Sequence, residues 1–103
     1  MTKAILITGC DSGFGFSLVN HLSENHRDYL AIACCYDANS EGAKELELKQ
    51  GVKVLQVDVT QRESIEKLLK NVEDLLKKEN VQLWALINNA ATLVFADAIW
   101  QTE

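Results

Sequence analysis

A short apolar run and a cluster of three glycines meet in one N-terminal stretch, Ala4-Ile5-Leu6-Ile7-Thr8-Gly9-Cys10-Asp11-Ser12-Gly13-Phe14-Gly15. The glycines follow Thr8 with the spacing G-x-x-x-G-x-G, and an amphipathic run comes next. This order predicts a buried strand that turns sharply into a helix, whose first backbone N–H groups have no partner within the helix. Those N–H groups and the positive end of the helix dipole attract a pyrophosphate.

Each glycine of the cluster has a predicted task. Gly9 lets the strand turn, Gly13 removes a Cβ where a phosphate must approach, and Gly15 lets the helix lie close on the sheet. We therefore interpret Ser12, Gly13, Phe14 and Gly15 as a phosphate loop, with a purely structural turn as the alternative. Asp11 is interpreted as a cap of the following helix rather than a ligand contact.

Composition and charge restrict the class of protein. The 103 residues are enough for one small domain, and 48% of them are hydrophobic, as in a globular protein. The formal charge of −5 argues against nucleic acid or an anionic membrane as a partner. The longest apolar run, Tyr29 to Tyr36, is far below the roughly 18 residues of a membrane span, and no signal-peptide pattern is present.

The three cysteines indicate neither a disulfide framework nor a metal site. Cys34 and Cys35 are adjacent, so on a strand they point to opposite faces and cannot bridge each other. We expect reduced thiols and a cytoplasmic location. There is no C-x-x-C pair, and His21 and His26 are interpreted as solvated, so no metal is predicted.

Apolar and amphipathic runs alternate along the whole chain. Strands are predicted over residues 3–8, 29–35, 52–57 and 83–87. Helices are predicted over 13–25, from an Asn39-Ser40 cap to about Gln50 before Gly51, from Thr60 through Lys77-Lys78, and over 95–103. This alternation predicts the α/β class: a Rossmann-type, doubly wound parallel sheet of order 3-2-1-4 with helices on both faces.

The third helix carries the clearest pattern. Thr60 and Glu63 fit a capping box at its start. A core-facing stripe follows at helical spacing: Ile65, Leu68, Leu69, Val72, Leu75 and Leu76.

Two further motifs close later apolar runs, Asp58-Val59-Thr60 and Asn88-Asn89-Ala90-Ala91. With the glycine cluster, they resemble the short-chain dehydrogenase/reductase family, whose hallmarks are T-G-x-x-x-G-x-G, D-x-T and N-N-A-G. The residues of the first and last motifs look most like those of the retinol and 17β-hydroxysteroid dehydrogenase branch. Ala91 departs from the family pattern, because it stands where the family has a glycine.

The resemblance implies roles for the later motifs. Asp58 is expected to accept the adenine amine, with the Val59 backbone reading the ring edge; the alternative for Asp58 is a turn residue at a strand end. Asn89, Ala90 and Ala91 are expected to line the nicotinamide ribose. Asn88 is interpreted as a structural tie between strands.

The choice of cofactor depends on the residues after the second strand. An acidic side chain about 20 residues past the glycine loop binds the ribose hydroxyls of NAD, whereas a basic one accommodates the 2′-phosphate of NADP. Cys35 takes the usual acidic place and Asp37 lies two residues later. No Lys or Arg occurs between Asp28 and Ala43, so NAD is favoured over NADP.

The family's catalytic group is a Ser with Tyr-x-x-x-Lys, and the sequence offers no match to it. Four residues after Tyr29 and Tyr36 stand Ala33 and Ser40. We therefore assign no catalytic residue and expect residues 1–103 to be the dinucleotide-binding domain of a longer product. The outer edge of the fourth strand is then open, and we expect the isolated chain to associate.

Two functions remain open at this point. The resemblance implies an oxidoreductase that acts on the alcohol or carbonyl group of a lipophilic substrate, such as a retinoid or steroid. The alternative is a non-catalytic NAD(P)-binding module that acts as a sensor or scaffold.

Overall fold

The first apolar run forms the strand β1 (Lys3–Ile7), which lies between two parallel neighbours. The computed structural model describes residues 3–89. The other strands are β2 (Tyr29–Cys35), β3 (Val52–Gln56) and β4 (Gln82–Ile87), and the helices are α1 (Gly13–Asn25), α2 (Glu41–Glu47) and α3 (Arg62–Glu79). The strand order is β3-β2-β1-β4, and all three pairings are parallel, which confirms the predicted order 3-2-1-4.

The sheet is buried on both faces, as continuous apolar strands require. Alternate residues of β1 and β2 contribute to two separate cores. One core, on the side of α3, contains Ala4, Leu6, Leu30, Ile32, Cys34, Val57, Ile65, Leu68, Val72 and Val81. The other core, on the side of α1 and α2, contains Ile5, Ile7, Cys10, Val19, Ala31, Ala33, Cys35, Ala43, Leu46 and Val52. The helices therefore cover both faces, as predicted.

The start of α3 differs from the prediction. Gln61 is the N-cap residue and makes no side-chain capping bond, so the predicted capping box of Thr60 and Glu63 is wrong. The Thr60 hydroxyl donates to Asp58 Oδ1 at 2.6 Å instead. The Thr60 hydroxyl therefore bonds to a carboxylate two residues away and does not cap the helix. The apolar stripe is confirmed, because Ile65, Leu68 and Val72 are buried and the other three members pack against the same core.

The helix α2 begins as predicted but ends early. Ser40 Oγ accepts a hydrogen bond from the Ala43 N–H at 3.1 Å, which is the expected N-cap. The helix stops at Glu47 rather than near Gln50. Leu48 is 88% exposed, so no apolar side chain after Leu46 holds the next turn on the sheet.

In the described part of the chain, β4 pairs on one side only, with β1. The register shifts at Ala4, so that Trp84 bulges out and is 58% exposed. Lys3 Nζ lies 4.4 Å from the centre of its ring, a cation–π contact. Association through this edge stays a prediction.

Some predictions fall outside the described residues, namely the helix over 95–103 and the positions of Ala90 and Ala91. Within residues 3–89, no helix has the length and apolar character to cross a membrane.

Candidate functional site

The glycine loop leads from β1 into α1 at the carboxyl edge of the sheet. Gly13 has a φ of +66°, and a Cβ added there would meet no atom within 4 Å. Ser12, the N-cap residue of α1, makes no side-chain capping bond, and the first turn of α1 has no acidic residue. The space beside Gly13 is therefore open, and the Ser12 side chain does not bond to the first N–H groups of α1. This geometry leaves room for a pyrophosphate, and the phosphate contact predicted for Gly13 stays a prediction.

The close contact that requires glycine at position 15 differs from the predicted contact between the helix and the sheet. A Cβ at Gly15 would overlap the carbonyl group of Gly9 and come within 3.0 Å of Asn89 Nδ2. The close approach that requires glycine is thus between α1 and the loop that precedes it. Ser12 and Phe14 are exposed, and Phe14 presents 65% of its surface to solvent.

The first and last motifs are joined by two hydrogen bonds. Thr8 Oγ1 donates to Asn88 Oδ1 at 3.0 Å, which supports the structural role predicted for Asn88. Asn89 Nδ2 donates to the carbonyl oxygen of Gly9 at 3.1 Å. The Asn89 side chain thus lies on the glycine loop, where it buttresses the turn. Motifs 80 residues apart in sequence are therefore neighbours at one edge of the sheet.

Asp11 does not cap α1, and that interpretation is wrong. Its carboxylate turns away from the helix and accepts from the backbone N–H groups of Tyr36 at 2.7 Å and Asp37 at 3.0 Å. Ser40 Oγ lies 3.5 Å from Asp11 Oδ2 and donates to it. Asp11 therefore ties the glycine loop to the loop between β2 and α2.

Asp37 lies in this second loop and is exposed. Its Oδ1 accepts from the Asn39 N–H at 2.9 Å, an Asx turn that fixes the side chain near the end of β2. Tyr36 is 66% exposed, and its carbonyl oxygen accepts from Gln56 Nε2 at 3.3 Å. The carboxylate predicted to contact ribose therefore stands at the same edge as the glycine loop.

Asp58 follows β3 and closes a local turn. Its Oδ1 accepts from both the N–H and the hydroxyl of Thr60, at 3.0 and 2.6 Å. Its own N–H donates to Ser64 Oγ at 2.8 Å. The turn role considered as the alternative is thus present, and it uses Oδ1 alone. Val59 packs beside the core on the side of α3.

All three cysteines are free and buried. Burial is the main reason that the pKa of Cys10 rises to about 12, and a neighbouring Cys35 adds to it. Burial also raises the pKa of Cys35 to about 12, with the Asp11 carboxylate as the second cause. Cys10 Sγ donates to the carbonyl oxygen of Ile7 at 3.1 Å. These thiols are therefore neutral packing groups at physiological pH.

Sequence reasoning missed three contributors to this edge. Ser64 lies inside the predicted third helix and Ser40 is predicted only as a cap, yet both hydroxyl groups make hydrogen bonds at this edge. Gly42 lies inside the predicted second helix, and a Cβ there would overlap the carbonyl oxygen of Asp11. A glycine inside a short helix next to a Ser cap was the available signal for a close approach. Within residues 3–89, no group of three or more His, Cys, Asp or Glu side chains could hold a metal ion.

A parallel sheet of order 3-2-1-4 with a glycine turn after its central strand defines a doubly wound α/β domain of the Rossmann type. The chain belongs to the short-chain dehydrogenase family, whose model matches residues 3–102. The resemblance predicted from the three motifs is confirmed. Membership implies an NAD(P)-binding role in an oxidoreductase.

Similar proteins agree with this assignment. The bovine D-beta-hydroxybutyrate dehydrogenase, mitochondrial, is 39% identical over 100 residues, which cover 93% of this chain and 28% of the bovine protein. The estradiol 17-beta-dehydrogenase 2 of Rattus norvegicus is 38% identical over 95 residues, which cover 90% of this chain and 24% of the rat protein. The chain thus spans about a quarter of the length of these two relatives.

A solved structure gives the same picture of the fold. The carbonyl reductase Sniffer of D. melanogaster superposes with a TM-score of 0.75 at 25% sequence identity. The match covers 89% of this chain and 38% of that structure.

Proposed function

We propose that the carboxyl edge of the sheet binds the dinucleotide of a short-chain dehydrogenase, with NAD favoured over NADP. The observation that carries this proposal is the open N-terminus of α1 at Gly13, next to a loop on which Asn89 lies. The pyrophosphate accepts hydrogen bonds from the first N–H groups of α1, in the segment formed by Ser12, Gly13, Phe14 and Gly15.

We propose the remaining contacts from the family resemblance, together with the positions of the described strand ends. The turn with Thr60 uses Asp58 Oδ1. The other oxygen, Oδ2, accepts a hydrogen bond from the adenine amine, and the Val59 backbone contacts the edge of the adenine ring. Asp37 accepts hydrogen bonds from the ribose hydroxyls of NAD. In NADP a phosphate group takes the place of one hydroxyl, and the Asp37 carboxylate would repel its negative charge. Asn89, Ala90 and Ala91 line the nicotinamide ribose.

The bound nicotinamide would supply hydride transfer to or from a carbon that carries an alcohol or carbonyl oxygen. The names of the bovine and rat relatives, a hydroxybutyrate and an estradiol dehydrogenase, support this reaction class. We propose a lipophilic substrate of the retinoid or steroid kind. The name of the estradiol dehydrogenase supports this substrate class, whereas the name of the hydroxybutyrate dehydrogenase does not.

We assign no catalytic residue within residues 3–89. Tyr29 lies at the amino end of β2, on the edge of the sheet opposite the glycine loop, and neither Tyr29 nor Tyr36 is followed by Lys four residues on. The cytoplasmic location stays a proposal from the reduced cysteines; the bovine relative's name places that protein in mitochondria.

The test is a fluorescence titration with NADH of the wild-type chain and of Gly13→Val. A branched side chain at Gly13 enters the space in front of the α1 N–H groups, so we expect a loss of affinity of at least about 100-fold. Gly51→Val is the matched control, because Gly51 also has a positive φ (+79°) but lies at the opposite edge, before β3. Both variants carry the same backbone strain.

Two results would contradict the proposal. One is a Gly13→Val variant that binds NADH as well as Gly51→Val does. The other is a folded wild-type chain with no saturable binding at millimolar NADH.

A further inference from the structure

We infer that Asp11 is a specificity-determining positioning residue, which fixes the ribose-binding loop and selects against a 2′-phosphate. The inference rests on the proposed function, since it concerns the same dinucleotide site. It assigns the selection of NAD over NADP to two carboxylates rather than to Asp37 alone.

Both oxygens of the Asp11 carboxylate accept hydrogen bonds from the loop after β2. Oδ1 accepts from the Tyr36 N–H, and Oδ2 accepts from the Asp37 N–H and from the Ser40 hydroxyl. Two successive backbone N–H groups on one carboxylate fix both the position and the direction of the chain at Asp37. The Ser40 oxygen also accepts from the Ala43 N–H, so the tie continues into α2.

The backbone of Asp11 is held as well as its side chain. The helix α2 approaches so closely at Gly42 that a Cβ would overlap the Asp11 carbonyl oxygen. The loop of Asp11 is thus enclosed between the carboxyl end of β2 and the first turn of α2. Neither loop can shift away from the other without breaking these contacts.

The consequence for the cofactor is both geometric and electrostatic. Asp37 can reach a ribose only where its loop is fixed, and Asp11 fixes it. The Asp11 charge also lies within this loop, and the depression between α1 and α2 beside the glycine loop is lined by further carboxylates, Glu41 and Glu45. No Lys or Arg occurs over residues 29–42, and Lys44 of α2 does not line this depression, so a 2′-phosphate there would meet a net negative charge.

The experiment measures dissociation constants for NADH and NADPH with the wild-type chain, Asp11→Asn and Asp11→Ala. Asp74→Asn is the matched control, since it removes the same charge from an exposed position of α3. We expect Asp11→Asn to reduce the preference for NADH over NADPH by about tenfold at low salt and less at high salt. Asp11→Ala should also weaken NADH binding, by about tenfold, because the loop is released.

A second readout needs no cofactor. Hydrogen exchange of the Tyr36 and Asp37 amides is expected to be slow in the wild-type chain and in Asp74→Asn, and at least about tenfold faster in Asp11→Ala. If Asp11→Ala does not fold, Asp11→Asn carries the test, since the two amides bond to different carboxylate oxygens and one of these becomes an N–H₂ group that cannot accept.

The outcomes separate the two proposals. A folded wild-type chain that binds neither cofactor overturns the proposed function, and this inference with it. If the wild-type chain binds, an unchanged ratio of the two dissociation constants in Asp11→Asn, or equal losses for both cofactors in Asp11→Ala, overturns the inference alone.

Discussion

Asp11 and Asp58 stand at the same edge of the sheet, each just after a parallel strand, and yet they hold different structures. Asp58 bonds to Thr60, two residues away, and both bonds use one oxygen. Asp11 bonds to backbone N–H groups 25 and 26 residues away and uses both oxygens. A carboxylate after a strand can therefore close its own turn or join two loops, and the choice depends on which N–H groups the neighbouring strand presents.

The largest expected effect tests how tightly the loop of Asp11 is held. Gly15→Ala should lower the free energy of unfolding by roughly 3 kcal/mol, because the new Cβ meets backbone atoms of Gly9 that cannot move aside. Urea unfolding followed by circular dichroism gives the value. Gly51→Ala is the control, since its Cβ has its nearest neighbour at 3.8 Å and only the positive φ costs energy, about 1 kcal/mol. Equal losses in the two variants would show that the glycine loop is not close-packed.

The same substitution at the two aspartates sharpens the comparison directly. Asp11→Asn should lower the free energy of unfolding by about 1 to 2 kcal/mol, because the amide N–H₂ faces a backbone N–H where an oxygen accepted before. Asp58→Asn should cost less than about 0.5 kcal/mol, since its remaining oxygen can still accept both bonds from Thr60. Parallel urea titrations measure both. A larger loss at Asp58 than at Asp11 would reverse the interpretation.

The smallest expected effect is the change that Asp11→Asn makes in the pH dependence of stability contributed by the buried thiol of Cys35. Burial and the nearby Asp11 carboxylate raise the pKa of Cys35 to about 12 from its ordinary value of 9.0, so between these values the unfolded chain releases a proton that the folded chain keeps. Stability is therefore fully present below pH 9 and falls as the pH rises toward 12, by roughly 1 kcal/mol per unit for this thiol. Asp11→Asn removes one cause of the shift and should make this decline slightly shallower.

The measurement is the free energy of unfolding at several values between pH 8 and pH 11. Asp58→Asn serves as the control and should leave the slope unchanged. Cys35→Ala, which has no thiol at this position, should show a shallower decline than the wild-type chain. An identical slope in Cys35→Ala would mean that this thiol does not contribute.

The elements were predictable where local pattern and burial agree. The bounds of α1 and β2 were predicted as observed. The glycine loop marks the start of α1, and seven continuous apolar residues form β2. The sheet order followed from the alternation of strands and helices. The end of α2 was misplaced, since nothing in Leu48 itself shows that it stays outside the core.

The candidate site was predictable in its location but not in its internal bonding. The three motifs indicated one edge of the sheet, and two hydrogen bonds join the first motif to the last there. The partners of Asp11 were not predictable, because they lie in the loop after another strand and depend on the register of β1 against β2. The pattern at Thr60 predicts a helix cap, but its hydroxyl donates to the Asp58 carboxylate two residues earlier, a competing partner that the capping pattern does not include.

The central claim is that the N–H groups at the start of α1 hold the diphosphate of the cofactor. The most direct measurement is a titration of the ¹⁵N-labelled chain with NADH, followed by the shifts of the assigned backbone amides. We predict the largest shifts at Gly13, Phe14 and Gly15, with smaller ones at Asp37 and Asp58. Shifts concentrated elsewhere, for example along α3, with the α1 amides unmoved, would contradict the account.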